Sequence, residues 1–370
     1  MKTRHFQSST WIAYLLAGVL LFLPGARVQA EEPASILAQE TEAYCLGCHA
    51  DPTLSLTLPS GEVLSLYIDP LQLAGSVHSP QGIECEACHT AITTYPHPAL
   101  EYQDTRSLSR AYYQACQKCH PDNYDQTLDS MHFRAAESGN LAAPICTDCH
   151  GAHDVGDPDE PRAKVSTMCS SCHAEIFAAY QTSIHGKALI EENNTDVPVC
   201  TDCHGVHRMP DPRTEQFRIA SPELCAGCHA NAALMSKYDL PADVYDLYEL
   251  SWHGVEVTVY KARWPAIWHD TAVCTDCHGV HDIYQTDDPQ SSVNPANLLA
   301  TCQKCHPGAS ANWTGAWTGH NQISLQKTPF LYYTDLFYSS LVPVVLWGLV
   351  IYVVLQILRA VAKRIRRTIA

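Results

Sequence analysis

The chain repeats the pattern Cys-x-x-Cys-His nine times, and these nine motifs contain all 18 of its cysteines. Two thiols at this spacing can each add to one vinyl group of a single haem, and the histidine that follows can bind the iron. A zinc ribbon or a thioredoxin-like dithiol also uses Cys-x-x-Cys pairs, but neither needs a histidine directly after the second cysteine. Nine complete matches therefore predict nine covalently attached haem c groups, each with its iron.

The residues predicted to attach and ligate these groups follow directly from the motifs. The attachment cysteines are Cys45, Cys48, Cys85, Cys88, Cys116, Cys119, Cys146, Cys149, Cys169, Cys172, Cys200, Cys203, Cys225, Cys228, Cys274, Cys277, Cys302 and Cys305. The motif histidines, each predicted to bind the iron of its own haem, are His49, His89, His120, His150, His173, His204, His229, His278 and His306.

A second set of nine histidines recurs in register with the motifs. Each repeat unit contains a haem motif, a small residue-x-His segment, a second haem motif and a further histidine. Units one to four and a closing half unit span residues 45–97, 116–153, 169–207, 225–281 and 302–320. The second set is His78, His97, His132, His153, His185, His207, His253, His281 and His320. Nine motifs and nine further histidines predict two histidine ligands for every iron, with His269 as an alternative to His253 because unit four has the longest gap before its second motif.

The spacing limits which iron each histidine can bind. His153 follows His150 by three residues, so on one helix the two would lie about 5–6 Å apart on the same side. The two axial ligands of a haem lie on opposite sides of it. His185 would lie about 18 Å from His173 along a continuous helix. We therefore expect ligands to cross between neighbouring haems, in an order that the sequence does not assign.

The first 30 residues have the pattern of a secretory signal peptide. Lys2 and Arg4 give a basic start, residues 11–23 form an apolar run, and a small-x-small cleavage site ends at Ala30. An uncleaved N-terminal anchor is the alternative. Export agrees with the cysteine usage, because haem c is attached outside the cytoplasm.

The other end of the chain predicts a membrane helix. Residues 336–358 contain no charge and are long enough to cross a hydrocarbon core of about 30 Å. Because positive residues stay cytoplasmic, the basic tail 359–370 places the haem-bearing region 31–330 in the periplasm, on the outer face of the cytoplasmic (inner) membrane. Three tyrosines next to this segment form an interfacial aromatic belt or, alternatively, part of a quinol pocket: Tyr332, Tyr333 and Tyr338.

The charge of the chain is strongly negative. Its formal net charge is −16, and all 39 acidic residues lie between the signal peptide and the tail. Nucleic acid is excluded as a partner, since it needs a basic surface. An acidic surface favours solubility and a basic redox partner steered by the field.

The composition predicts a mainly α, loop-rich array with haems as its core. About 33 residues per haem are too few for a conventional apolar core, and the chain should need haem to fold. Residues 174–180 predict a helix. Residues 54–58 alternate, residues 59–61 turn and residues 63–68 return as a hairpin. Residues 255–259 predict a further strand.

Three segments of identical pattern carry a family resemblance. Residues 146–153, 200–207 and 274–281 read Cys-Thr-Asp-Cys-His-Gly-x-His, each after a Ser-x-His segment. Over residues 45–320 the chain resembles multihaem c-type cytochromes of the cytochrome c3 and NapC/NirT-like families. The resemblance implies electron transfer between a quinol pool and periplasmic or extracellular acceptors. NapC-type proteins have an N-terminal anchor and four or five haems, whereas the C-terminal anchor here looks more like that of a cytochrome subunit docked on a separate membrane protein.

These observations predict an electron-transfer protein rather than an enzyme, because two histidines leave no open position on an iron. The expected role is transfer between a membrane quinol-oxidising subunit, of the cytochrome b or iron–sulfur type, and soluble or outer-membrane redox proteins in anaerobic respiration. One alternative is a reductase or oxidase of nitrogen or sulfur oxyanions or hydroxylamine, with a five-coordinate haem at His97 or at the His253/His269 position. Another is a protomer of a polymeric haem wire.

Overall fold

The structure is a computed structural model that describes residues 44–98, 101–264, 267, 270–316, 320, 323–326 and 328–369. These residues form many short helices joined by loops, one small two-stranded sheet and one long C-terminal helix. The predicted mainly α, loop-rich fold is confirmed. The predicted signal peptide at 1–30 and the alternative ligand His269 lie outside the described residues.

Most of the helices are short, and several of them carry one haem motif or one histidine segment. Residues 44–49 are helical. The further α-helices are Pro70–Ala74, Cys85–Cys88, Thr105–Tyr112, Pro121–Leu128, Met131–Glu137, Cys146–His150, Ala163–Ser170, Ala174–Thr182, Ile184–Ile190, Cys200–His204, Glu215–His229, Ala232–Met235, Val244–Glu249, Trp252–Arg263, Cys274–His278, Leu298–Gln303, Ala311–Ala316 and Pro329–Ile369. Three 3₁₀ turns span Ser79–Gln81, Tyr113–Lys118 and Ser236–Tyr238.

The predicted hairpin is present. Strand β1 (Ser55–Thr57) pairs antiparallel with strand β2 (Val63–Ser65), with Leu56 opposite Leu64. Gly61 in the turn has φ +87°, a conformation that favours glycine.

The second predicted strand, at residues 255–259, is wrong. The segment belongs to the helix Trp252–Arg263. Ser251 caps that helix by accepting a hydrogen bond from the Gly254 N–H at 3.2 Å, and Val257 is buried on its inner face. Capping and tertiary packing therefore override the β propensity of the valines.

The apolar interior of the described residues is small. It includes two clusters of buried side chains, which are Val165, Tyr180, Leu189 and Val199 in the first and Ile219, Val257 and Val273 in the second. Both clusters lie between helices that carry haem motifs, so each holds one pair of motifs together.

In units two, three and four, the serine of the Ser-x-His segment is the N-cap of a helix. The Ser130, Ser183 and Ser251 hydroxyls accept hydrogen bonds from the backbone N–H three residues later. Such capping satisfies a donor that the first helical turn leaves free. The histidine two residues after the serine therefore lies in a fixed first turn, which sets the direction of its ring.

Two of these histidines are followed by a glycine that the packing requires. A Cβ on Gly186 would overlap the Tyr180 carbonyl oxygen, and a Cβ on Gly254 would overlap the Tyr248 carbonyl oxygen. Both tyrosines are fixed in turn, since their hydroxyls donate to carbonyls next to a second motif, Tyr180 to Pro198 at 2.7 Å and Tyr248 to Ala272 at 2.9 Å.

We expect Gly254→Ala to destabilise the haem-loaded protein by about 2 kcal/mol or more, because the obstacle is backbone that a rotamer change cannot move. Thermal unfolding followed by haem absorbance would measure the loss. Gly308→Ala is the control, since nothing lies within 4 Å of its added Cβ, and it should change stability by no more than about 0.5 kcal/mol. Equal effects of the two variants would contradict the packing argument.

The C-terminal helix Pro329–Ile369 is long and apolar enough to cross a membrane, and its apolar window is fully exposed. It begins before the predicted segment 336–358 and continues through the basic tail. Pro343 consequently lies in the helix interior.

Candidate metal centres

Each of the nine motif histidines faces one histidine of the second set. The two ring centroids are between 6.0 and 6.3 Å apart in every pair. The pairs are His49–His97, His120–His78, His89–His153, His173–His132, His150–His207, His229–His185, His204–His281, His306–His253 and His278–His320.

This separation suits two imidazoles on opposite sides of one metal ion. A metal–nitrogen bond is about 2.0 Å and the ring centroid lies about 1.1 Å behind the nitrogen, so the expected centroid separation is about 6.2 Å. Among the described residues, no group of three or more His, Cys, Asp or Glu side chains could hold a metal ion. The histidine donors are therefore grouped in pairs, which fits haem iron because the porphyrin supplies the other four nitrogens.

The pairing follows one rule along the repeat. His89, in the second motif of unit one, faces His153, the last histidine of unit two. In return, His78 of unit one faces His120, in the first motif of unit two. The same two exchanges join units two and three, units three and four, and unit four and the half unit. Each boundary between units is therefore spanned by two histidine pairs.

The first pair is different, because His49 and His97 belong to the same unit. Their rings are 6.1 Å apart and nearly parallel, at 6°. With the proton on Nδ1, His49 donates to the Leu66 carbonyl at 2.8 Å and His97 donates to the Pro98 carbonyl at 2.9 Å. Nε2 of each ring is then free to bind a metal, as in many histidine-ligated sites.

His253 is the histidine that faces His306 of the last motif. Its ring centroid is 6.3 Å from that of His306. Trp313 packs on the same His306 ring at 4.9 Å. The structure makes no statement about His269, which lies outside the described residues.

A glycine directs the last histidine of units two to four away from its own motif. The helix Cys146–His150 ends at Gly151, which has φ +75°, and Gly205 and Gly279 end the equivalent helices at +76° and +86°. The one-helix geometry assumed for His150 and His153 is therefore wrong. The chain leaves the helix at a conformation that favours glycine, and His153 reaches His89 in the neighbouring unit.

Backbone hydrogen bonds hold the exchanged histidines in place, and the sequence did not reveal them. In each bond the residue before a Ser-x-His histidine donates to the carbonyl two residues after the last histidine of the next unit. The bonds are Val77 N–H to Val155 O (2.8 Å), Met131 N–H to Met209 O (2.9 Å) and Ile184 N–H to Ile283 O (2.8 Å). A backbone bond has no side-chain signature, so only its regular place in the repeat could have indicated it.

Burial favours the neutral form of several of the paired imidazoles. It lowers the pKa of His185 to about 4, with a smaller contribution from the neighbouring His229. Burial is also the main cause of lowered pKa values at His89, His278 and His320. Neutral imidazole is the form that binds iron.

The attachment cysteines lie close together within a unit. The first cysteines of the two motifs are hydrogen-bonded in units two, three and four, and these pairs are Cys116–Cys146, Cys169–Cys200 and Cys225–Cys274. The thiols stand in for the thioether sulfurs of attached haem. Two haems of one unit would thus start from adjacent points.

The last cysteine of a unit lies near the first motif of the next unit. Cys172 lies close enough to Cys149, and Cys225 to Cys203, for its thiolate charge to help raise the pKa of that cysteine, whose burial is the main cause. The same holds for Cys277 and Cys302. The attachment points therefore follow one another in chain order.

Space and donors for the bulky group are present beside the motifs. An open cavity of about 590 Å³ lies against Cys88, with Tyr102 and Tyr112 in its wall. Two buried arginine nitrogens, Nη1 of Arg110 and Nε of Arg162, have no hydrogen-bond partner among the described residues. A haem propionate is the type of acceptor such donors require.

Three arginine–aspartate pairs recur and were missed in the sequence. Each joins an arginine before the first motif of a unit to the aspartate inside its second motif. The pairs are Arg106–Asp148 (2.8 Å), Arg162–Asp202 (2.5 Å) and Arg218–Asp276 (2.8 Å). The threefold repetition of Cys-Thr-Asp-Cys-His, each with an arginine upstream, was the available signal.

Comparison with known proteins gives one family match. A family model described as cytochrome c3 matches residues 77–174 and, overlapping them, residues 142–230. No curated protein and no solved structure matches the chain. The family match, which covers less than half of the chain, supports a multihaem c-type cytochrome with covalently bound haem c that transfers electrons. The NapC/NirT-like part of the resemblance stays a prediction.

Proposed function

We propose that the chain is a nonahaem electron-transfer protein in which each iron is bound by a motif histidine and the histidine that faces it. The nine pairs at 6.0–6.3 Å carry this proposal. Their uniform spacing across five repeat segments is difficult to reconcile with surface histidines, which have no reason to meet in pairs.

The residues of the chain then have defined tasks. The cysteine pairs would attach each haem to the backbone, and each facing pair of histidines would hold one iron and leave no place on it for a substrate. Haem iron supplies the one-electron Fe(III)/Fe(II) couple. Two histidine ligands without methionine keep the reduction potentials low.

We further propose that electrons enter near the membrane and leave at the far end. The half unit at 302–320 directly precedes the long apolar helix, which suits contact with a membrane quinol-oxidising subunit of the cytochrome b or iron–sulfur type. The motif at Cys45 would serve soluble or outer-membrane partners. The chain order of the attachment cysteines supports a continuous path between the two ends, and the basic tail supports a periplasmic location. The setting would be anaerobic respiration.

The haem count tests the proposal directly. Pyridine haemochrome analysis and intact mass of purified protein should give nine haem c groups per chain, because all 18 cysteines are in motifs. Absorption and EPR spectra should show low-spin iron in the oxidised state, and the reduced protein should also be low-spin. Fewer than nine groups, or a high-spin ferric signal in the intact protein, would contradict it.

A further inference from the structure

The three arginine–aspartate pairs occupy equivalent places in units two, three and four. In unit three, Arg162 lies before the first motif and Asp202 lies between the two cysteines of the second motif. The same description fits Arg106–Asp148 in unit two and Arg218–Asp276 in unit four. Each pair thus connects the segments that carry the two haems of one unit.

Each aspartate is also tied to its own motif. Asp202 accepts the backbone N–H of Val199 at 2.6 Å, Asp148 that of Ile145 at 2.7 Å, and Asp276 that of Val273 at 2.8 Å. Each aspartate therefore binds two groups: the arginine, and the backbone N–H of the residue that directly precedes the second motif.

Each arginine makes further bonds to the backbone before the second motif. Arg218 donates to the Thr271 carbonyl at 3.0 Å, Arg106 donates to the Leu141 carbonyl at 2.8 Å, and Arg162 donates to the Val197 carbonyl at 3.5 Å. A guanidinium can hold a carboxylate and a carbonyl together because its donors form a rigid fork.

Stability alone gives a poor reason for this repetition. The side chains are 14–29% exposed on the arginine side and 39–40% exposed on the aspartate side, and ion pairs that contact water add little. The place of each arginine–aspartate pair in its unit is a more specific feature than its contribution to stability. The pair spans the two segments whose first cysteines touch, Cys169 and Cys200 in unit three.

Unit one offers a natural comparison. Its second motif reads Cys85-Glu86-Ala87-Cys88, so Ala87 stands where the other units have aspartate. The Glu86 carboxylate accepts a hydrogen bond from Tyr95 instead.

We propose that in units two to four the arginine–aspartate pair is a positioning strap, which sets the separation of the unit's two haems and neutralises the carboxylate beside the second one. This inference rests on the proposed function. It assigns no direct contact with a reacting atom to either residue. The charge of a carboxylate near a haem favours the ferric state, so the arginine should raise the reduction potential that the carboxylate alone would lower.

The test compares four versions of the full-length chain in detergent: wild type, Arg162→Gln, Arg162→Lys and Arg213→Gln. Haem count, redox titration and EPR of the oxidised protein would be measured on each. Arg213 pairs with Asp211 two residues away and its side chain is 77% exposed, so its substitution is the matched control for losing an arginine–aspartate pair.

Arg162→Gln should keep nine haems, lower the potential of a fraction of the titration equal to about one haem in nine, and change the spin coupling between neighbouring haems. Arg162→Lys keeps the charge but not the fork, so it should restore the potential and leave the coupling changed. Arg213→Gln should match wild type in all three measurements.

Other outcomes would overturn the strap. It is rejected if Arg162→Gln gives the titration and EPR of the control, and its positioning role is rejected if lysine restores the coupling as well. If Arg162→Gln fails to load haem, Asp202→Asn takes its place, because asparagine keeps an acceptor for the Val199 N–H and removes only the charge; an unchanged titration and EPR would then reject the strap. If wild type carries nine haems and the variants behave like it, the strap alone is rejected. If wild type binds no haem, the proposed function itself is rejected.

Discussion

Replacing His253 by alanine is expected to open one iron in nine to external ligands. His253 faces His306 at 6.3 Å, so the haem of the last motif would lose its distal ligand and keep its proximal one. A five-coordinate ferric iron is high-spin and binds small ligands. EPR should show a new high-spin ferric signal, and carbon monoxide should bind the reduced protein at about one site per chain.

His269→Ala is the matched control, because sequence spacing left His269 as the alternative ligand in unit four. It should leave the spectra of wild type unchanged. If His269→Ala opened the iron and His253→Ala did not, the pairing of His253 with His306 would be refuted. Haem count must stay at nine in both variants, since no attachment cysteine changes.

The second large effect is expected from a truncation that removes the half unit. A chain that ends at residue 297 loses the motif Cys302–His306 and also His320, which faces His278 in unit four. It should carry eight haems, and one of these, attached at Cys274 and Cys277, should be open to carbon monoxide. The loss of one motif would thus create a defect in the preceding unit.

A chain that ends at residue 328 is the control for this truncation. It lacks the helix Pro329–Ile369 but keeps every histidine pair, so it should carry nine low-spin haems. It should also partition into the soluble fraction, whereas the full-length chain should need detergent. Eight closed haems in the shorter protein would contradict the exchange of histidines between units.

Much of the candidate site could be predicted from the sequence, because haem attachment needs fixed residue types at fixed spacing. The repeat also indicated all nine histidines of the second set, including His97 with its irregular spacing. The partner of each histidine could not be predicted. Pairing depends on where the chain turns, and the turn at Gly151 comes from a positive φ that sequence spacing does not express.

Individual helices and strands were harder to predict from the sequence than the candidate site. Alternating leucines at 54–58 gave the hairpin, since one face of that ribbon is buried at Leu58. The valines at 255–259 gave a false strand, because Ser251 caps a helix there. The sequence marked that serine only as a small residue before a histidine, so its function as an N-cap was overlooked.

The exchange of histidines has a consequence for how the protein matures. No site of units one to four except the first, at His49 and His97, is complete within its own unit. If the chain is exported from its N-terminus, as proposed above, the second motif of each unit would find its facing histidine only after the following unit has emerged. On that proposal, completion of the sites would lag translocation by one repeat, and the His278 site would be completed last, by His320.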